Sequence, residues 1–174
     1  MPGPNRRGVR GWRGPKSYVV ERGPNTRSMH GTIPGVERVY TTPLLDKLGI
    51  RPGMRVAILG VDDEDIRPLI ADRTSDLTEG WPDPDTDVVL LAADWTADLQ
   101  PLSDLASRIR PNGAIWVVSR KGKAATLRDI EVMAAARAAG LVDNKVVSFS
   151  ATHTSIRLVI PVALRPRQGI ERDR

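Results

Sequence analysis

Five charged residues near the middle of the sequence are candidates for a ligand-binding rim. They follow three apolar segments of strand length, and they are Asp62, Asp63, Asp94, Arg120 and Lys121. Parallel strands bring such positions to one edge of a sheet, where carboxylates beside two cations could hold a divalent metal ion and a phosphate-bearing ligand. The alternative is that all five are solvated loop charges and that an acid only caps a helix. Because no glycine-rich loop accompanies them, we predict neither a metal site nor a catalytic group.

Neither histidine has the neighbours in sequence that would indicate a catalytic triad or a zinc site. His30 lies in the N-terminal segment, and His153 lies in or near the last apolar segments. His153, Thr154 and Arg157 are secondary candidates for ligand binding, because the hydroxyl groups around His153 could line a pocket. Hydroxyls that alternate along an exposed strand face are the alternative interpretation. The sequence contains no cysteine, which excludes disulfides, thiolate zinc sites and cysteine nucleophiles.

The net charge of +5 is distributed unevenly over the 174 residues. Residues 1–40 hold eight basic and two acidic residues, and residues 163–174 hold four basic and two acidic ones. Residues 41–162 hold fourteen basic and seventeen acidic residues. The length therefore allows about one domain, mildly acidic, with basic ends. The longest apolar run, at 88–93, is far shorter than the roughly 18 residues of a membrane helix, and we predict a cytoplasmic protein.

The first 40 residues contain seven glycines and five prolines without apolar periodicity, which predicts a disordered basic arm. Cations in such an arm could follow a phosphate backbone. The weak candidates for nucleic-acid binding are Arg6, Arg7, Arg10, Arg13 and Lys16. Two alternatives are a solvated linker and an incorrectly assigned start, with Met29 as the natural first residue.

Strand and helix signals alternate between residues 41 and 162. Strands are predicted at 54–59, 87–92, 114–119, 145–149 and 155–162. The first two helices are predicted at 43–48 and from Asp62 or Asp63 to about residue 71. A third helix contains Leu102, Leu105 and Ile109 and is closed by Pro111–Gly113, and a fourth begins at Thr126 and Asp129 and ends at Gly140. Residues 72–87 offer at most one weak strand. This alternation predicts a Rossmann-like α/β fold, with a mostly parallel sheet, helices on both faces and a C-terminal antiparallel strand pair. Trp116, inside an apolar strand, is predicted to lie in the core.

The third predicted helix, the Pro111–Gly113 turn and the following strand resemble the corresponding stretch of class I methyltransferases, as does the terminal strand pair. The resemblance implies a methyltransferase-like fold and S-adenosylmethionine as a cofactor. The front half departs from that pattern, because those enzymes have a glycine-rich loop after the first strand and an acid at the end of the second. Here Gly60 stands alone, and about 27 residues between the first strand and Asp87 leave little room for two βα units.

A closer resemblance is to the bacterial family called domain of unknown function 3052, over roughly residues 40–162. The matching residues are Thr42, Pro43, Leu44, Lys47, Leu48, Gly49, Pro52, Gly53, Gly113, Ala114, Trp116, Val117, Lys121 and the segment 140–146. Members commonly end in Trp-Ser-Gly-Leu followed by Lys or Arg, whereas residues 153–157 read His-Thr-Ser-Ile-Arg here. The resemblance implies a methyltransferase-like fold and no known activity.

These observations favour a small non-catalytic module that binds or regulates, with a protein partner or a small anionic ligand and with no cofactor. One alternative is a methyltransferase that depends on S-adenosylmethionine. The other is an accessory protein that binds nucleic acid through its basic N-terminal arm.

Overall fold

A six-stranded mixed sheet organises residues 43–166, the part of the chain that the computed structural model describes. Its strands are β1 (Val56–Leu59), β2 (Leu77–Glu79), β3 (Thr86–Ala92), β4 (Ile109–Arg120), β5 (Val142–Ser148) and β6 (His153–Val159). The helices are α1 (Leu44–Leu48), α2 (Ile66–Arg73), α3 (Leu102–Ala106) and α4 (Asp129–Ala138). The predicted arm, with its nucleic-acid-binding candidates, lies outside the described residues. No helix among residues 43–166 is long and apolar enough to cross a membrane.

The strand order is β2-β1-β3-β4-β6-β5, with three parallel pairs followed by two antiparallel pairs. The predicted fold class is therefore confirmed. Successive connections leave β1 toward β2 on one side and reach β3 on its other side, which makes the carboxyl end of β1 a topological switch point. Only one helix, α2, fits between β1 and β2, and a short loop without a helix leads on to β3. The sequence is indeed too short for two βα units in this region.

Helices cover both faces of the sheet, and each face has its own apolar core. One core joins α3 and α4 to the sheet through residues such as Leu105, Val132 and Ile115. The other joins α1 and α2 to the opposite face and contains Trp116, which is fully buried as predicted. The indole Nε1–H of Trp116 donates to the carbonyl of Leu48 at 3.0 Å, so the largest core side chain also satisfies a carbonyl at the end of α1.

The prediction of a helix through Ile109 closed by Pro111–Gly113 is wrong. α3 ends at Ala106, and Ile109 begins β4 by pairing with Thr86. The next pair in the ladder joins Val88 to Ala114, so residues 110–113 bulge out opposite a single residue of β3. Gly113 permits this bulge, because a Cβ there would lie 3.0 Å from the carbonyl oxygen of Asp87.

Several predicted boundaries also shift. α2 begins at Ile66 after Asp65, so neither Asp62 nor Asp63 is its N-cap residue. α4 is capped by the Glu131 carboxylate, which accepts from the Arg128 amide at 2.8 Å, whereas Thr126 donates its hydroxyl elsewhere. The last two strands each begin earlier than predicted and end earlier, at Ser148 and Val159. Because β6 begins earlier than predicted, His153 is its first residue and lies opposite Arg120 of β4.

Candidate functional site

The carboxyl ends of β1, β3 and β4 lie at one edge of the sheet, as parallel strands require. β6 runs antiparallel to β4, so the amino end of β6 lies at the same edge. Its first residue, His153, is directly opposite Arg120 in the ladder. Asp94, Arg120, Lys121 and His153 therefore meet at this edge, and we call these four residues the edge cluster.

Asp94 fixes the position of Arg120. One carboxylate oxygen of Asp94 accepts the backbone N–H of Arg120, and the other lies 3.2 Å from the guanidinium Nε. Asp94 is held in turn, because its own N–H donates to the Asp98 carboxylate at 3.0 Å and its carbonyl accepts the hydroxyl of Thr126. This network orients one cation at the edge and neutralises part of its charge.

Lys121 extends the cluster toward the last two strands. Its backbone N–H donates to the carbonyl of Thr152 at 3.0 Å, and its ammonium donates to the hydroxyl of Ser148 at 2.7 Å. The Thr152 hydroxyl in turn lies 2.9 Å from Nδ1 of His153. Because the hydroxyl partner of Lys121 is neutral, the ammonium is held in place while its positive charge is retained.

His153 experiences the charges of the other three members. Burial lowers the pKa of His153, the cations Arg120 and Lys121 lower it further, and Asp94 opposes them. The sequence alone predicts that His153 belongs to a polar strand pair separate from the rim. The antiparallel register instead places His153 directly opposite Arg120, so one secondary candidate lies beside one of the rim candidates.

The acids after β1 lie at the same edge but make different contacts. Gly60, with φ of 68°, brings this segment close to β3, since a Cβ there would lie 3.6 Å from the Ala92 Cβ. Asp63 then turns inward and accepts the backbone N–H of Asp65 at 2.8 Å, whereas Asp62 is exposed. The hydrogen bonds and ion pairs of residues 43–166 link Asp94 to Arg120 and Asp63 to Asp65, and they do not join these two groups.

The two remaining secondary candidates lie apart from His153. Thr154 is opposite Ser119, and it faces the other side of the sheet because side chains alternate along a strand. Arg157 is on the same side as His153 but four residues further along β6, opposite Trp116.

Four further residues hold the cluster together, and the sequence pointed to only two of them. They are Asp98, Thr126, Ser148 and Thr152, each of which contacts the cluster through a hydrogen bond. Ser148 and Thr152 stand in the hydroxyl-rich string around His153 that drew attention in the sequence. Asp98 and Thr126 gave no comparable signal. Within residues 43–166, no group of three or more His, Asp or Glu side chains is placed to hold a metal ion.

Asp63 has a buried carboxyl group that is only half satisfied. The residue is 1% exposed, and its Oδ2 accepts no hydrogen bond from residues 43–166. Burial raises the pKa of Asp63, and the neighbouring acids Asp65 and Asp62 add to the effect. A carboxyl group whose pKa is raised in the folded state favours folding below its ordinary pKa, and that contribution is lost as the pH rises through the folded-state pKa.

We therefore expect Asp63→Asn to stabilise the protein at pH 7 by about 1 kcal/mol while leaving its stability near pH 4 almost unchanged. The amide oxygen can still accept the Asp65 N–H, but the buried charge is gone. Urea denaturation at the two pH values measures the difference. Asp62→Asn is the matched control, because it removes an exposed acid from the adjacent position. Equal destabilisation of Asp63→Asn at both pH values would contradict this account.

A family model described as a protein of unknown function (DUF3052) matches residues 45–162. No curated protein matches the chain.

Similar folds occur among solved structures. A methyltransferase from Aquifex aeolicus, described as SAM dependent, shares 16% identity at a TM-score of 0.47, covering 68% of this chain and 88% of its own. The pyocyanin biosynthetic protein PhzM shares 14% identity at a TM-score of 0.48, and the match covers 68% of this chain and 53% of PhzM. The mitomycin 7-O-methyltransferase MmcR shares 16% identity at a TM-score of 0.45, and the match covers 66% of this chain and 50% of MmcR. The chain thus spans about half the length of PhzM and of MmcR.

Proposed function

The chain belongs to the DUF3052 family of proteins of unknown function, and we propose that it is a non-catalytic module that binds a small anionic ligand at the edge cluster. The observation that supports the proposal is the convergence of Arg120, Lys121 and His153 at one edge of the sheet. All three side chains can donate hydrogen bonds to an anion when they are protonated. Asp94 is the one acid among them.

The contacts inside the cluster favour binding over chemistry. Asp94 already pairs with Arg120, so its carboxylate serves to orient a cation. Lys121 donates to a hydroxyl group, which positions the ammonium without neutralising it. Two cations held in place beyond the ends of the strands can position an anionic group. A phosphate, sulfate or carboxylate group would suit them.

A methyltransferase that uses S-adenosylmethionine is the second candidate, and one observation favours it. The structure forms β2 beside β1 and ends it in Glu79, so an acid does stand at the end of the second strand. The other residues do not fit the cofactor. Only Gly60 gives close backbone approach, and Val61 and Asp63 after it are buried side chains. Glu79 itself faces Arg67, with 3.5 Å between the carboxylate and the guanidinium Nε.

The proposal predicts that anion binding depends on pH through His153. Burial and two cations lower the pKa of His153 in the free protein, and a bound anion would raise it again by favouring the imidazolium. Binding then takes up a proton and tightens as the pH falls. We expect the affinity for sulfate to increase about fivefold to tenfold between pH 7.5 and pH 5.5. Sulfate is a suitable probe because its own charge is constant over this range.

Calorimetric titration of the full-length protein with sulfate at both pH values tests this expectation. The variant His153→Gln should bind sulfate with an affinity that no longer changes with pH. Titration with S-adenosylmethionine in the same buffer separates the two candidate functions. Saturable binding of S-adenosylmethionine together with no binding of sulfate, sugar phosphates or nucleotides would contradict the proposed function.

A further inference from the structure

Two cations lie away from the edge cluster on the face of the sheet that packs against α1, and a third follows the end of β6. Arg157 on β6 is opposite Lys145 on β5, so their side chains project from the same face. Arg165 follows shortly after the end of β6 and donates from its Nε to the carbonyl of Ile160 at 3.0 Å. We call Lys145, Arg157 and Arg165 the basic patch.

The basic patch has no counter-charge within the described part of the chain. The ammonium of Lys145 donates to the carbonyl of Lys47 at 2.8 Å, and that carbonyl is a neutral acceptor. Arg165 likewise uses a carbonyl. No carboxylate among residues 43–166 forms an ion pair with any of the three cations.

Arg157 lies beside the buried core of the α1 face. It is partly buried, and its neighbour across the ladder on β4 is the fully buried Trp116. Burial lowers the pKa of Arg157, and the nearby charge of Arg165 lowers it further. A guanidinium group that loses water is normally compensated by a carboxylate or a phosphate.

The patch is separate from the edge cluster. Arg157 follows His153 by four residues on β6, which corresponds to about 13 Å along a strand. Arg165 lies beyond the far end of β6, further still from His153. A ligand group in contact with both arginines would therefore not occupy the edge cluster.

We propose that the basic patch is a second binding site, in which Arg157 and Arg165 bind a phosphate group and Lys145 flanks it. Phosphate is the ligand chemistry that two guanidinium groups fit best, because each planar fork donates two parallel hydrogen bonds to a pair of oxygens. The phosphate comes either from a small polyanion or from the backbone of a nucleic acid. The inference does not depend on the function proposed for the edge cluster.

The test uses the full-length protein with two probes, inorganic tripolyphosphate and a fluorescent single-stranded oligonucleotide. We expect Arg157→Gln to weaken binding about tenfold or more. Arg137→Gln is the matched control, because Arg137 on α4 is an exposed arginine that forms no ion pair within residues 43–166. It should change binding less than about twofold.

The two probes identify the source of the phosphate. Binding of tripolyphosphate alone indicates a small polyanion, and tighter binding of the oligonucleotide with a steep salt dependence indicates a nucleic-acid backbone. Because the edge cluster is itself proposed to bind anions, the comparison is repeated in a protein with Arg120→Ala and Lys121→Ala. There Arg157→Gln should still weaken the remaining binding about tenfold, and Arg137→Gln should not, which distinguishes the two sites. Failure of both probes to bind, or equal losses in Arg157→Gln and Arg137→Gln, would overturn the inference.

Discussion

Trp116→Ala is expected to destabilise the protein by about 3–5 kcal/mol, the range for removing a large aromatic side chain from a core. Trp116 is fully buried in the centre of β4, where it packs with the residues that join α1 and α2 to the sheet. Its loss would leave a cavity on that face and also leave the carbonyl of Leu48 without its indole donor. Since a domain of this size is stable by only about 5–15 kcal/mol, the variant should be close to unfolding.

Urea denaturation of two further variants separates the contributions to this loss. Trp116→Phe keeps an aromatic ring but loses the hydrogen bond to Leu48, and we expect it to cost about 1–3 kcal/mol. Trp95→Ala removes a tryptophan that is 62% exposed and should change stability by less than about 0.5 kcal/mol. A mild effect of Trp116→Ala, similar to that of Trp95→Ala, would contradict the packing of Trp116 in the core of the α1 face.

The second large effect concerns ligand binding. Replacing Arg120 and Lys121 together by alanine is expected to weaken sulfate binding about a hundredfold, because both charged donors of the edge cluster are removed. Asp94 would then be left without its cation, and the edge would become acidic. The stability should change little, because exposed ion pairs contribute only about 0–1 kcal/mol. Loss of binding without loss of stability is therefore the diagnostic combination.

Thermal-shift measurements with sulfate, sugar phosphates, nucleotides, Mg²⁺ and Mn²⁺ give the comparison between the parent and this double variant. Lys123→Ala combined with Arg137→Ala is the matched control, since it removes the same two charges from exposed positions elsewhere. The same compounds should shift the parent and this control equally. If they also shift the edge-cluster variant by the same amount, the edge is only a solvated surface.

The fold class was predictable because apolar runs and helix signals alternate along the sequence. A buried strand such as Val56–Leu59 is recognisable as a short, continuous apolar run. The error at Ile109 has a physical cause. Its spacing from Leu102 matches a helix, but pairing with Thr86 across the sheet outweighs that local preference. The bulge at residues 110–113 depends on the approach of Gly113 to Asp87, which no local pattern indicates.

The candidate site was predictable in part for a similar reason. Residues that follow parallel strands share an edge by topology, which placed Asp94 and Arg120 together correctly. The position of His153 depends instead on the antiparallel register between β6 and β4, and a shift of two residues would have moved it away from Arg120. The sequence predicts Asp63 as a rim residue or, alternatively, as a helix cap, but its carboxyl group turns into the protein. Burial of this kind is set by the packed tertiary structure.

The most direct test of the central claim is to map sulfate binding onto the sheet by two-dimensional NMR of the ¹⁵N-labelled full-length protein. Anion binding at the edge cluster predicts saturable chemical-shift changes for Arg120, Lys121 and His153, with a pH dependence that follows the His153 imidazole. Changes should be smaller along the middle of β4. Saturable changes centred on Gly60 and Glu79 on addition of S-adenosylmethionine, with no response of Arg120, Lys121 and His153 to sulfate, would contradict the claim.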